Sequence, residues 1–235
     1  MLFDLRGAGR RRIVKTVYIM LAFLMGGGLV LFGIGGGGGI SGGLVDAITE
    51  RSGGTDDGTD RFTKQEKAAL AKTKANPQDA AAFAALARAR FQLAGAGSNF
   101  DPDKGTFTKA GVAKLTSAGD AWEQYLALNP PKPDDRVASL MVQAFGALNK
   151  PAEAAQAQEV ITDARPTAST FTQLAIFAYQ AGQTRKGDLA AAKAVDLAPK
   201  DEQKDLKTQL DSAKTQALTQ QLQQSAPTPT PAVGG

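Results

Sequence analysis

Histidine and cysteine, two residue types that often carry chemistry in proteins, do not occur in this chain of 235 residues. Without histidine the chain lacks the commonest general base and the commonest metal ligand. Without cysteine it can form no disulfide, and metal sites built on thiolates or imidazoles are excluded. Any reactive or metal-binding site must therefore be sought among other residue types.

Motifs for covalent catalysis and for phosphate binding are also missing. The sequence contains no G-x-S-x-G segment and no glycine-rich loop that ends in Lys-Ser or Lys-Thr. The glycine run at residues 35–39 has no following lysine and no preceding strand, so it is not a nucleotide-binding loop. We therefore predict no catalytic residue, no cofactor and no enzymatic activity.

One short segment has the spacing of metal ligands. Its alternating polar residues are Asn99, Asp101 and Asp103. A calcium loop that started at this asparagine would need glycine at its sixth position and glutamate at its twelfth, where the chain has Lys104 and Ala110. We therefore expect no metal site, and the alternative is an ordered turn before a helix capped by Thr106 or Thr108.

The elements that would position any site begin with an uncharged segment, residues 16–34. Its densely apolar part, from Val17 to Ile34, would be about 27 Å long as a helix, close to the roughly 30 Å of bilayer hydrocarbon. We interpret residues 16–34 as a single transmembrane anchor. The alternative is a cleaved signal peptide, whose apolar run is usually shorter and ends in a small-x-small site, and the glycines here supply small residues for such a site. A buried core helix is disfavoured, because the glycines at 26–28 would destabilise it.

The charge distribution orients this anchor. Residues 1–15 hold five basic side chains and one acid, which account for the whole net charge of +4. The other 22 basic and 22 acidic residues cancel, so we expect no nucleic-acid partner. Because basic flanks resist translocation, we predict a single-pass protein of the cell membrane with residues 1–15 in the cytoplasm and the C-terminal domain extracytoplasmic.

Composition divides the rest of the chain into a linker, a domain and a tail. Residues 35–60 are rich in Gly, Thr and Asp, which predicts a flexible linker. Residues 225–235 form a Pro- and Thr-rich tail that we expect to be disordered. Between them, residues 61–224 are rich in Ala and show no alternation of period two, which indicates successive helices.

Internal repetition organises these helices. Helices are predicted over residues 79–93, from Asp135 onward, and over residues 169–182. Aligning Phe83, Val137 and Phe171 also aligns a leucine three residues after each. Val137 and Phe171 are 34 residues apart, whereas Phe83 and Val137 are 54 apart, which places an insertion at about residues 95–108 of the first repeat.

At these positions the chain resembles the tetratricopeptide repeat (TPR) family, whose 34-residue unit is a pair of helices. The second helix of the unit is clearest at Ala118, Trp122, Tyr125 and Pro130. The third repeat matches at Phe171, Leu174, Ala175, Gly182, Ala191, Ala194 and Pro199. The second repeat departs from the pattern, since Met141 replaces a small residue and its second helix fits only with a shift of one residue.

The resemblance implies an all-α fold, with a single N-terminal transmembrane helix followed by an α-solenoid of about three TPR helix pairs. The repeats would occupy residues 78–130, 131–166 and 167–199. Capping helices are expected at residues 62–75 and 201–224, because terminal repeats need a polar outer face. The start of the chain, FDLRG at residues 3–7 before a Gly-rich anchor, is similar to that of actinobacterial membrane-anchored proteins.

In this family the first helix of each repeat lines a concave groove. Transferring the family's groove positions marks a candidate peptide-binding groove of fourteen residues. They are Ala81, Ala84, Arg88, Phe91 and Gln92 in the first repeat, Asp135, Ala138, Val142 and Phe145 in the second, and Ser169, Thr172, Ile176, Tyr179 and Gln180 in the third. The residues that we predict to bind the peptide are Arg88, Phe91, Gln92, Val142, Phe145, Ile176, Tyr179 and Gln180. Phe91, Phe145 and Tyr179 share one position in the three repeats. These aromatic residues form either an aromatic ladder on the groove or core packing between repeats, and the register leaves both alternatives open.

We therefore predict an interaction module that binds an unidentified protein or peptide partner. Its architecture is similar to that of bacterial helpers of secretion and envelope assembly. The alternative is a scaffold or spacer that self-associates through its anchor or its repeats, as a homo-oligomer, without binding a peptide.

Overall fold

The computed structural model describes residues 58–225, and most of them are helical. The eight α-helices of this range are α1 Thr59–Ala75, α2 Ala80–Ala94, α3 Lys109–Ala127, α4 Asp135–Ala147, α5 Pro151–Ala164, α6 Ala168–Gln180, α7 Thr184–Leu197 and α8 Gln203–Ser225. The predicted all-α fold class is confirmed for these residues.

Several predictions concern residues outside this range. They are the basic N-terminus at 1–15, the transmembrane anchor at 16–34, the linker up to residue 57 and the tail from residue 226. Within residues 58–225, no helix is long and apolar enough to cross a bilayer. The first described helix begins at Thr59, two residues before the predicted start of the domain.

Side-chain caps fix where several helices begin. The cap residues that accept a hydrogen bond from a first-turn backbone N–H are Asp79, Thr108, Asp134 and Thr167. Each of these side chains satisfies a donor that has no acceptor within its own helix. The cap at Thr108 confirms the alternative given above for the metal-like segment, an ordered turn followed by a capped helix.

Neighbouring helices pack in chain order. Three pairs form, α2 with α3, α4 with α5 and α6 with α7, and α1 packs on α2. The pairs meet through contacts of α4 with α2 and α3, and of α6 with α5, while α8 packs on both α6 and α7. In α4–α5 and α6–α7 the connecting loops are short, which makes the two helices of each pair antiparallel.

Small side chains dominate the interior and let these helices approach closely. Alanines with no exposed surface occur on α2 to α7, among them Ala87, Ala118, Ala144, Ala154 and Ala175. The largest fully buried side chains are Trp122, Phe145, Leu115, Met141, Leu210, Gln158 and Val137. A few large residues therefore fill the space between alanine-lined helix surfaces.

A charged network holds α1 against the first pair. The Glu66 carboxylate lies 3.3 Å from Arg90 Nε and 2.8 Å from Lys114 Nζ, which joins α1 to α2 and α3. Arg90 also donates from Nη1 to the Ser117 carbonyl at 2.7 Å. The Glu66 side chain is only 16% exposed, so water screens these ion pairs less than it screens pairs on the open surface.

The insertion of the first pair forms a small ordered motif. It contains a 3-10 turn at Gly97–Asn99 and two antiparallel strands, β1 Phe100–Asp101 and β2 Thr106–Phe107. The rings of Phe100 and Phe107 meet edge to face with centroids 5.3 Å apart. An added Cβ at Gly111 would overlap the Asn99 carbonyl, so the start of α3 packs directly on this turn.

Candidate functional site

Nine of the fourteen predicted groove residues are at least partly accessible. Ala81, Arg88, Ser169 and Gln180 are exposed, and Gln92, Asp135, Val142, Thr172 and Ile176 are half-buried. They lie on α2, α4 and α6, the first helices of the three pairs. Their accessibility leaves them available for contact with a partner.

The three aromatic residues of the predicted groove, Phe91, Phe145 and Tyr179, are buried. Phe145 is 1% exposed and sits in a notch at Gly119 of α3, where an added Cβ would lie 2.8 Å from its Cε1. Tyr179 packs so closely on Gly187 of α7 that a Cβ there would overlap its ring. The structure places the rings of Phe145 and Tyr179 between helices, and Phe91 is 9% exposed. This burial fits core packing, the second of the two alternatives, and none of the three rings forms an open aromatic surface.

The Tyr179 hydroxyl takes part in a polar link among α6, α7 and α8. It donates to Asp188 Oδ1 at 3.0 Å, and Lys214 Nζ donates to both oxygens of the same carboxylate at 2.7 and 2.8 Å. Burial raises the pKa of Tyr179, and its hydrogen bond to Asp188 raises it further. The hydrogen bond from Lys214 lowers the pKa of Asp188. This link fastens α8 to the third pair.

A surface hollow lies where α2 approaches the start of α4. Its volume is about 390 Å³. The lining residues are Ala80, Ala81, Ala84, Ala85, Arg88, Tyr125, Pro130 and Asp134. Ala81, Ala84 and Arg88 are three of the positions that the TPR resemblance assigns to the groove. The other α2 residues that line the hollow, Ala80 and Ala85, are also alanines, so Arg88 is the only large side chain of α2 in its lining.

Asp134 closes one side of this α2–α4 hollow and is fixed by several hydrogen bonds. Its Oδ1 accepts from the backbone N–H groups of Arg136 and Val137, and its Oδ2 accepts from Arg88 Nη2 at 3.2 Å. Its own N–H donates to the Tyr125 hydroxyl at 2.7 Å, and burial raises the pKa of that tyrosine. The hollow thus combines a small apolar floor with one positive and one negative group.

Amide side chains recur on the accessible faces of the first helices. They are Gln92, Gln143, Gln173 and Gln180. An amide both donates and accepts hydrogen bonds, so it can pair with the backbone of an extended chain segment. Sequence reasoning selected Gln92 and Gln180 but missed Gln143 and Gln173, although both repeat the same amide chemistry. Besides the Arg88–Asp134 pair, a second ion pair joins Arg165 to Asp135 at 3.1 Å, at the start of α4.

The metal-like segment uses its acidic group to build a turn. Asp101 Oδ1 accepts from the backbone N–H groups of Asp103 and Lys104, and Oδ2 accepts from Lys104 Nζ at 2.8 Å. The hydrogen bond from Lys104 lowers the pKa of Asp101. In the part of the chain that the structure describes, no group of three or more carboxylates is arranged to hold a metal ion.

A larger hollow of about 810 Å³ lies beside α7 and was not predicted. Its lining residues are Phe171, Leu174, Gly182, Gln183, Thr184, Arg185, Lys186, Leu189 and Ala190. The sequence signal that could have found it is Leu189, which follows a polar helix start and falls outside the buried face of α7. The two hollows share no lining residue, so they are separate surfaces.

The chain matches no family model and no curated protein.

Proposed function

We propose that residues 58–225 are a TPR-type α-solenoid that binds a segment of another protein along the first helices α2, α4 and α6. In this proposal, residues 16–34 anchor the protein in the cell membrane and residues 1–15 lie in the cytoplasm. The helical domain would then face the extracytoplasmic space and act on secreted or envelope proteins. The activity is binding, without catalysis or a cofactor.

The order of the helices supports the solenoid part of the proposal. Three helix pairs follow one another, with α1 packed on the first and α8 on the third. Terminal helices of this kind cover the ends of repeat proteins, whose units otherwise contact only their neighbours. The first helices α4 and α6 also end alike, each followed by a residue with positive φ, 53° at Asn149 and 73° at Gly182.

The single observation that carries the binding proposal is the α2–α4 hollow. Three residues chosen from the repeat register alone, Ala81, Ala84 and Arg88, line one hollow on a first helix. Its volume of about 390 Å³ lies in the range of ligand pockets and could receive a large side chain of an extended segment. Three of the fourteen positions transferred from the repeat family therefore line this hollow, all of them on α2, which supports α2 as part of the proposed groove.

The chemistry of the hollow indicates the class of segment that fits. The floor is alanine, which favours an apolar side chain. The side chains of Arg88 and Asp134 are each more than a third exposed, so their ion pair contributes little, and an incoming polar group can replace either partner at little cost. Gln92, one turn after Arg88, can hydrogen-bond the backbone of that segment. We therefore expect a segment with an apolar anchor side chain and little net charge.

A crosslinking experiment in cells tests the site on the full chain. A photoreactive amino acid at Gln92 should capture a recurrent protein, and Ala81→Trp, which fills the hollow, should abolish that capture. Ala152→Trp on α5 is the matched control, since both alanines are exposed. If a folded Ala81→Trp variant crosslinks the same protein as strongly as the control, the hollow is not the binding site.

A further inference from the structure

The larger hollow presents apolar surface to water. Phe171 and Leu174 of α6 form one side of it, and Leu189 and Ala190 of α7 form another. Leu189 is 66% exposed, so a large apolar side chain stands in water next to an apolar lining. Covering this surface would be favourable, because apolar area would leave water. No predicted groove residue lines this α7 hollow, so it is a surface separate from the α2–α4 hollow.

The last turns of α8 lie at the edge of the α7 hollow. Gln221 Nε2 donates to the Tyr179 carbonyl at 2.9 Å, and a Cβ added at Gly182 would lie 3.5 Å from the same nitrogen. Gly182 is one of the residues that line the hollow. Helix α8 ends at Ser225, about 6 Å along the helix axis beyond Gln221. The chain therefore leaves the described range within about one helical turn of the lining.

The segment that follows α8 is long enough to cover the hollow. Residues 226–233 read APTPTPAV, with a proline at every second position from 227 to 231. A polyproline II segment of eight residues extends about 25 Å, roughly twice the width of a sphere of 810 Å³. Polyproline II has no internal hydrogen bonds, so the segment can lie on the hollow without forming a fold of its own.

The chemistry of this segment matches the lining and the rim. The sequence has no charged side chain after Lys214, so the segment brings no side-chain charge onto an apolar surface. Aromatic side chains line the grooves that recognise polyproline II, and Phe171 is aromatic. Proline offers a backbone acceptor without a donor. The rim offers donors, namely exposed Arg185 and the first-turn N–H groups of α7, where Gln183 provides no side-chain cap.

Attachment to α8 reduces the affinity that this contact requires. A segment joined to its site by a short linker meets it at an effective concentration in the millimolar range. A dissociation constant near one millimolar for the detached segment would thus give substantial occupancy. A separate molecule present at about one micromolar would need to bind roughly a thousandfold more tightly for the same occupancy. The nearby end of α8 therefore favours the chain's own segment as the occupant.

We propose that residues 226–233 turn back at the end of α8 and cover the α7 hollow of the same chain, with their proline rings against Phe171 and Leu189. The proposal does not depend on the groove, because no groove residue lines this hollow. Covered in this way, the α7 hollow is closed to other chains, and the α2–α4 hollow stays open.

Intrachain crosslinking tests this cover in the full chain, which contains no cysteine of its own. Lys186→Cys is placed at the rim on the side of α5, where Lys186 pairs with Glu159 at 2.7 Å. A short bismaleimide linker should join it to Thr230→Cys. Gln220→Cys with the same Thr230→Cys is the matched control, since Gln220 is exposed on α8 and only ten residues from Thr230. A free segment would reach position 220 at least as often as position 186.

We expect at least about threefold more intrachain product from position 186 than from position 220, measured by mass spectrometry of the digested monomer. Equal yields, or a higher yield from the control, would overturn the proposal. A product that joins two chains and grows with protein concentration would also overturn it, because a second copy would then cover the hollow.

A pair of leucine variants separates docking from simple proximity. In the Lys186→Cys, Thr230→Cys background, Leu189→Glu should lower the intrachain product to the level of the control, because a carboxylate would have to be covered by an apolar segment. Leu197→Glu should leave the product unchanged, since Leu197 is 41% exposed on the same helix and does not line the hollow. Circular dichroism melting shows whether both variants fold. An undiminished product in a folded Leu189→Glu variant would contradict the proposed contact.

Discussion

Phe145 is held in the core by a glycine on a different helix. Its ring occupies the notch left by Gly119 of α3, and its side chain is 1% exposed. Removing the ring would leave a cavity between the first and second pairs that neighbouring helices could close only in part. The same residue would have been dispensable for folding if it had lined an open groove.

We expect Phe145→Ala to lower the free energy of unfolding by about 3–5 kcal/mol. Gln143→Ala, an exposed position on the same helix, should change it by no more than about 0.5 kcal/mol. Urea denaturation followed by circular dichroism measures both. A loss below about 1 kcal/mol for Phe145→Ala would mean that the ring is not a core residue.

The Tyr179–Asp188–Lys214 link should make stability depend on pH in the acid range. The pKa of Asp188 in the folded state is lowered below its ordinary value, chiefly by the hydrogen bond from Lys214. Its contribution is therefore complete above the unfolded pKa of about 3.9. It is lost as the pH falls through the lower folded pKa, because both states are then protonated.

Replacing the lysine should remove this pH-dependent term. We expect Lys214→Met to lower stability at pH 7 by roughly 0.5–1 kcal/mol, since the pair is partly exposed. The difference from the wild type should shrink as the pH is lowered below about 4. Urea unfolding at a series of pH values tests this, with Lys207→Met, an exposed lysine of the same helix, as control. A difference that stays constant with pH would contradict the link.

Among the helices, the ends are specified by short-range chemistry. Asn129, Asn149 and Gly182 each stand two residues after the last residue of a helix and have φ of 47°, 53° and 73°. At two of these ends a bond closes the turn, from Lys150 N to the Phe145 carbonyl at 2.8 Å and from Gln183 N to the Ala178 carbonyl at 2.8 Å. The left-handed conformation favours Gly and Asn, which explains the residue types found.

The end of α4 gives a direct test of this conformation. Asn149→Ala should cost about 1–2 kcal/mol, because alanine pays the steric penalty of positive φ. Asn149→Gly should be nearly neutral or slightly stabilising, because glycine adopts that conformation freely. Thermal unfolding of the two variants provides the comparison. Equal changes in stability for the two substitutions would exclude the positive φ of this residue as the cause of the destabilisation by Asn149→Ala.

Such local signals explain why much of the helical fold could be predicted from the sequence. Helices were expected at residues 79–93, from residue 135 and at residues 169–182, and α2, α4 and α6 occupy these segments. The hairpin of β1 and β2 could not be predicted, because its strands are two residues long and depend on the contact of Phe100 with Phe107. Periodicity alone does not identify such a contact.

The candidate site was only partly predictable for a related reason. The register placed Arg88 on an accessible face of α2, and it lies there beside the α2–α4 hollow. The register could not decide the burial of Phe145 and Tyr179, which depends on the glycines that face them, Gly119 and Gly187. Those glycines belong to other helices, so the deciding information is a tertiary contact and not a property of the helix that carries the ring.

Across residues 58–225, the apolar side chains form more than one cluster. One cluster near the start joins Phe62 of α1 to Leu93 and Ala96. Another near the end joins Leu210 and Ala217 of α8 to residues of the third pair, including Leu174 and Tyr179, and to Ala155 of α5. In a repeat protein each unit is stabilised mainly by its neighbours, so loss of one end need not unfold the other. In a single cooperative core, the whole domain would lose stability together.

Replacing one buried side chain by alanine near each end of the described range distinguishes a solenoid from a single cooperative core. Leu210 is 2% exposed, so Leu210→Ala should cost about 2–5 kcal/mol. In a solenoid this loss should raise hydrogen-exchange rates in α6–α8 by at least tenfold, since 1.4 kcal/mol is a factor of ten, and leave α1–α2 nearly unchanged. Phe62→Ala should give the reverse pattern, with faster exchange in α1–α2. Mass spectrometry of exchanged peptides measures both patterns in the full chain. Uniform acceleration over residues 58–225 by either variant would mean that the helices form one cooperative unit, which would argue against the repeat architecture on which the proposed groove depends.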